Sequence, residues 1–323
     1  TKTNKNKQRK NMNTFKKIGL TALAGSLVVT SAFAGELTVS GGASMGVANI
    51  TGTADDGRGK NFSMGNQITF SGGGELDNGM NVSVSFTLDQ SDATPSPFDG
   101  HSVTVSSDAL GTLVFSGEGG SSAQSAMDTT AAGDIWNNTL GITGVTPAAS
   151  GDNSLFYTLP EVMDGLAITA SMSPGGAAVA NTETHTSFGL TYTGVEGLTV
   201  KYGQGDSGVK GSEVESTTMM ASYAIGSFTV SASNTEADKT GANNEEVSSY
   251  QLAYTVSDDL SVTYGSETND LTGSSVDEEV EGFGVSYTTG GMTISASSIE
   301  AKGAGNSAGA KSEKWSLSAS FAF

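Results

Sequence analysis

The chain contains no cysteine, and only 5 of its 323 residues are proline. Without cysteine there is no disulfide framework and no thiolate metal site. Charged residues make up 15%, against roughly 25% in ordinary soluble domains. Bases are the scarcer sign: 15 Lys and Arg stand against 34 Asp and Glu, a formal charge of −19 at pH 7. That balance argues against a nucleic-acid partner, because phosphate binding needs a basic face. No long hydrophobic run follows Ala34, so no later segment reads as a membrane helix. What fills the chain instead is Gly (44 residues), Ser and Thr, not the Lys, Glu and Pro of disordered sequences.

Charge is unevenly placed. Residues 1–34 hold Lys2, Lys5, Lys7, Arg9, Lys10, Lys16 and Lys17 and no acid, leaving 8 of the 15 bases against all 34 acids, a formal −26. Lys16 and Lys17 precede an apolar run, Ile18 to Val29, and then Ala32-Phe33-Ala34. A positive segment, a short apolar core and an Ala-x-Ala site predict a signal peptide cleaved after Ala34, with Met12 as initiator. Residues 1–34 are thus read as an upstream segment plus signal peptide, and 35–323 as the folded body. The apolar run is short for a span of about 20 residues.

From Glu36 onward the apolar period is 2. Met80, Val82, Val84, Phe86 and Leu88 alternate with Asn81, Ser83, Ser85 and Thr87; Trp315, Leu317, Ala319, Phe321 and Phe323 alternate with Lys314, Ser316, Ser318 and Ser320. Sixteen such strands are expected, an even number. Short turns such as Asp77-Asn78-Gly79 and Thr289-Gly290-Gly291 alternate with long polar loops at 206–215, 235–246, 267–280 and 300–312. One connection, Glu118 to Asp152, is much longer. Nearly all aromatic rings share the apolar parity of their strand; Phe98, Trp136 and Phe156 do not. A soluble sandwich also alternates, but its outer face needs charge, whereas here the opposite parity is mostly Ser, Thr, Gly and Asn. A greasy, aromatic outer face and a small, polar inner face describe an all-β, antiparallel transmembrane β-barrel. Ten residues at about 3.3 Å each, tilted near 40°, rise roughly 25 Å, the height of the apolar band.

On these strands, with Glu36–Gly46 (Glu-Leu-Thr-Val-Ser-Gly-Gly-Ala-Ser-Met-Gly), Leu110–Gly117 (Leu-Gly-Thr-Leu-Val-Phe-Ser-Gly) and a terminal Phe323, the chain resembles the general-diffusion porins of alphaproteobacterial outer membranes. The resemblance covers about residues 12–323. It implies a 16-stranded barrel in outer-membrane lipid, a homotrimer, a long third loop folded into the lumen, and passage of small hydrophilic solutes. It also implies that Phe323 is read by the barrel assembly machinery.

The expected constriction residues are Glu118, Asp128 and Asp134 in the long loop and Lys201 on the wall. Trp136 is the expected loop anchor. The family's constriction usually faces a cluster of bases across the pore. Here Arg58 is the one Arg after residue 34, and Lys201 and Lys314 are the strand-borne bases on the polar parity. A weak transverse field and cation selectivity follow from that departure and from the net charge. Phe98, in the second long loop, is either a latch onto a neighbouring subunit or solvated.

Other motifs carry less. Gly42-Ala43-Ser44-Met45-Gly46 matches a nucleophile elbow, but inside an alternating strand rather than at a strand–turn–helix. Gly203-Gln204-Gly205-Asp206-Ser207-Gly208 matches a dinucleotide fingerprint without a following helix. No catalytic residue and no resident cofactor or metal are assigned. Acid pairs such as Glu245-Glu246 and Asp277-Glu278-Glu279 leave open loosely bound Ca²⁺ at the loops. Two rival readings remain at this point: a substrate-specific outer-membrane channel, and a secreted structural or adhesive β-protein.

Overall fold

The computed structural model describes residues 37–54, 59–89, 98–127, 130–132, 140, 147–175 and 183–323. The predicted signal segment, Arg58, Asp128, Asp134 and Trp136 lie outside the described residues, as does the Phe98 side chain.

Sixteen strands form in chain order: β1 (Thr38–Gly52), β2 (Lys60–Glu75), β3 (Asn81–Asp89), β4 (Phe98–Ser107), β5 (Gly111–Glu118), β6 (Ser154–Thr158), β7 (Leu166–Ser173) and β8 (His185–Tyr192). They continue as β9 (Leu198–Val209), β10 (Ser212–Ile225), β11 (Phe228–Lys239), β12 (Glu245–Ser257), β13 (Leu260–Leu271), β14 (Glu278–Thr289), β15 (Met292–Lys302) and β16 (Lys311–Ala322). Each pairs antiparallel with its sequence neighbours, and β1 closes on β16, so the ring has no edge. Closure is what lipid demands, since an unpaired amide there costs several kcal/mol. At the seam Gly41 and Phe323 exchange both backbone hydrogen bonds, at 2.7 and 3.0 Å. The Phe323 ring lies where a Gly41 side chain would be.

The parity reading holds strand by strand. Outward positions carry Phe62, Met64, Val84, Met219, Val230, Tyr250, Leu252, Phe283 and Leu317, all exposed. Directly opposed outward rings touch: Phe70 stacks on Phe86 at 5.0 Å, Phe228 meets Tyr254 at 4.6 Å, and Tyr264 meets Phe283 at 4.9 Å. Such pairs add about 0.2–1 kcal/mol each to the sheet. The Lys60 ammonium sits 5.8 Å from the centre of the Trp315 ring. Buried positions are the reverse of a soluble core: Ser187, Ser216, Thr218, Ser233, Thr235 and Ser249 are all shielded on the inner face.

The long polar loops are shorter than their composition suggests. The 206–215 loop is a two-residue turn, Lys210-Gly211, and 235–246, 267–280 and 300–312 shrink to 240–244, 272–277 and 303–310. Above the lipid the outward face need not be apolar. There Glu236 opposes Glu246, and Glu281 opposes Glu300, so the alternation fades while the backbone ladder runs on.

Candidate functional site

The lumen is built from inward hydroxyls, and the connection between β5 and β6 lies against part of them. Its first described stretch, Gly119–Met127, turns through a short helical turn at Ser125–Met127. The Ala123 N–H donates to Ser171 and Ser187 Oγ, both at 2.9 Å. Gln124 Nε2 donates to Thr218 Oγ1 at 2.6 Å, and Gln124 Oε1 accepts from the Ala148 N–H at 2.7 Å, tying the outgoing and returning arms together. Further along, the Ala131 N–H reaches Ser233 Oγ at 2.8 Å and the Ala132 N–H reaches Ser249 Oγ at 2.7 Å. The Ala149 N–H donates to the Asp206 carbonyl at 3.0 Å. Loop amides that no helix or sheet satisfies thus find acceptors on β7, β8, β9, β11 and β12.

Glycine makes the close approach possible. A Cβ on Gly203 would come within 2.9 Å of Met127 Cγ and 3.0 Å of Gln124 Cα; one on Gly265 would come within 2.8 Å of Ala132 Cβ. At Gly265 and Gly205 the loop presents alanines, Ala132 and Ala148, and these and Ala123 and Ala131 are all buried. Leu140, wholly buried, packs on Val280 of β14 and Ala301 of β15, with Ile50 and Ile299 alongside. The described loop residues therefore touch the wall from β7 round to β15, reaching β1 only at Ile50.

The expected site residues separate. Lys201 is on the inner face of β9, opposite Met220 of β10 and two residues before Gly203, so it lies beside the loop's attachment rather than across from it. Glu118 ends β5 behind a bulge: Ser102 pairs with Ser116, but His101 pairs with Glu118, leaving Gly117 as the extra residue. Directly paired residues share a face. Glu118 is therefore turned to the side of His101, and its carboxylate stands 3.9 Å from His101 Nδ1. Asp128, Asp134 and Trp136 are outside the described residues.

Two acids read as loop residues, Glu245 and Glu278, begin strands and turn inward, together with Glu267, which the sequence reading did not single out. Glu245, Glu267 and Glu278 sit on adjacent strands β12, β13 and β14, each no more than 3% exposed. Glu245 is ion-paired to Lys239 and accepts from Asn269 Nδ2 at 3.2 Å. Glu278 accepts the Gly305 N–H at 2.8 Å. The sequence signal was Val247 and Val280, apolar residues on the parity opposite to Tyr250 and Phe283. They mark where the inner wall stops being wet. Consecutive acids point to opposite faces, and among the described residues no three His, Asp or Glu side chains converge as a metal site.

The model of the family described as Gram-negative porin matches residues 19–277, most of the chain. Comparison with curated proteins yields no significant sequence match. Among solved structures, Salmonella typhi OmpF in complex with daunomycin is 12% identical, with a TM-score of 0.70 over 90% of this chain and 98% of that one. The trimer form of Vibrio cholerae OmpT is 14% identical, with a TM-score of 0.68 over 90% and 99%. A mutant of Rh. blastica porin is 11% identical, with a TM-score of 0.65 over 89% and 100%. The family match over most of the sequence, on a barrel that follows these porins nearly end to end, makes the chain a member of the Gram-negative porin family, an outer-membrane β-barrel channel.

Proposed function

We propose that the protein forms a homotrimeric, water-filled and cation-selective channel through which small hydrophilic solutes and ions diffuse passively, with no bond made or broken. The observation that carries this reading is the asymmetry of the lumen. The described loop residues lie on the β7–β15 wall, and the inner faces of β16, β1 and β2 carry Ser320, Ser40, Gly42, Ser44, Ser63 and Gly65. A 16-strand ring is wide enough for an aqueous path, and a segment lying on one side narrows it without closing it. The segment sets the size limit.

Selectivity comes from charge. Inward bases among the described strand residues are Lys201, Lys239 and Lys314, and Lys239 is already paired with Glu245. Asp89, Glu267 and Glu278 also stand on the inner face, and the body after residue 34 carries a formal −26. A negative, low-dielectric passage concentrates cations. In a planar bilayer under a KCl gradient the reversal potential should have the sign of K⁺ preference; chloride preference would overturn the selectivity.

The trimer is supported by aromatic placement. No Tyr or Trp occurs between Thr38 and Glu118, so the outward face of β1–β5 lacks the residues that sit at lipid headgroup level. Its Val39, Gly41, Ala43 and Met45 are small or flexible enough for close subunit packing. The solved trimer form of Vibrio cholerae OmpT, which shares this fold, agrees with that reading.

A further inference from the structure

The β8–β9 ladder stops before either strand does. Its last pair is Ser187 with Gly205, yet β8 reaches back to His185 beside Ser173 of β7, and β9 runs on to Val209 beside Ser212 of β10. Past that point Asp206 ties the two strands through its side chain. Its Oδ1 accepts the Thr186 N–H at 2.9 Å and the Thr186 hydroxyl at 3.2 Å, and its Oδ2 lies 2.7 Å from Nδ1 of the buried His185. The Asp206 carbonyl, meanwhile, accepts the Ala149 N–H of the loop's returning arm. Both arms of the loop meet the wall here. Ser187 Oγ accepts the Ala123 N–H of the outgoing arm at 2.9 Å, and a Cβ on Gly205 would come within 2.6 Å of Ala148 Cβ. Asp206 pairs with Glu215 and Tyr202 pairs with Met219, so Asp206 has the outward parity of the exposed Met219. His185 has the parity of the inward Ser187. The pair thus reaches across the wall where the ladder has ended.

We propose that Asp206, gripped by His185 and Thr186, is a positioning residue of the pore: it holds the returning arm of the long loop in one place, so that the passage keeps one width. The inference rests on the channel reading and deepens it. A backbone acceptor seats a loop only as firmly as its own strand is held. At Asp206 the ladder holds β9 from the β10 side alone, and Gly205 has no side chain with which to pack. The carboxylate supplies the missing tie to β8. It can only accept, so His185 Nδ1 carries the proton between them. Hydrogen bonds to an ionised carboxylate are roughly twice as strong as neutral ones, which suits a clamp made of three donors. The carboxylate has the outward parity, so its charge is not presented to the solute. What reaches the passage is the position of its carbonyl and of the arm bonded to it.

The test uses the whole protein in a planar bilayer carrying single-channel K⁺ current, with each variant first checked for native gel mobility. Asp206→Ala should raise the time spent in substates at least about tenfold, the shift of one lost charged hydrogen bond. His185→Ala should act in the same direction, and the double variant should be no noisier than Asp206→Ala, because both remove one clamp. Asp206→Asn keeps an acceptor for Thr186 and offers an amide N–H to His185, and it should restore a steady current. Glu215→Gln removes the neighbouring outward carboxylate without touching the clamp, and its current should match wild type. Where Asp206→Ala gives no folded barrel, His185→Ala decides by the same readout. If the Ala variants conduct as steadily as wild type, if Asp206→Asn does not restore the current, if the double variant is noisier, or if Glu215→Gln is as noisy as Asp206→Ala, the clamp is refuted and the channel reading stands. A wild-type barrel that carries no K⁺ current at all overturns both.

Discussion

Among the described loop residues, the hydrogen bonds to the wall are neutral. Wall hydroxyls at Ser171, Ser187, Ser233 and Ser249 accept from loop amides, and Gln124 ties the loop to Thr218 and to its own returning arm. A neutral latch is little affected by salt, whereas exposed ion pairs are screened. Ser249→Ala strands the buried Ala132 amide and should cost about 1–3 kcal/mol. Urea unfolding in detergent micelles should show that loss, and the open channel should become noisier; Ser249→Thr should restore both. Gly265→Val drives a side chain into Ala132. Unit conductance should change clearly while the ladder and gel mobility stay native. At this scale the sequence was least legible. Glu118 was expected at the constriction as the first residue of the long loop, but it ends β5, where a single extra residue, Gly117, sets it on the His101 side, and nothing in composition announces a bulge. The wall hydroxyls were visible as the polar parity, yet which of them would meet the loop depends on register around the whole ring.

Strands were legible where lipid imposes a pattern. The short turns and all sixteen elements follow from period-2 alternation, because apolar outward residues are required through the hydrocarbon. Beyond it the pattern dissolves, and the ends of β9 to β16 looked like loops. The β9–β10 tip shows what replaces it. Gly211 takes φ 86°, which closes the two-residue turn, and its N–H donates to Glu213 at 2.7 Å. That bond holds the Glu213 carboxyl below the usual carboxylate range. The two faces of a strand can be compared at adjacent residues. Leu252 of β12 is outward, and Ala253 is inward. Leu252→Lys at mid-depth should cost about 2–4 kcal/mol and lower the yield of folded barrel. Ala253→Lys should fold normally and shift the reversal potential toward anions. Equal tolerance at both positions would contradict the assignment of faces.

For the whole molecule, aromatic belts divide the circumference. Tyr223, Tyr250, Tyr254, Tyr287 and Trp315 lie outward on β10 to β16, where lipid headgroups are met, and the β1–β5 arc has Phe but no Tyr or Trp. Met64→Lys, on that bare arc, should convert trimers to monomers on mildly solubilised gels. The same charge at Val230, on the belted arc, should lower folding yield without changing oligomeric state in what does fold. In the proposed channel, water passes along the β16–β1–β2 wall and not behind the loop. The absence of native cysteine allows a direct measurement. Ser44→Cys and Ser249→Cys are each exposed, in open channels, to a small charged thiol reagent. Rapid modification and an abrupt conductance step are expected for Ser44→Cys, and no reaction for Ser249→Cys beneath Ala132. Fast modification at Ser249→Cys with none at Ser44→Cys would put the passage on the other side of the barrel and contradict it.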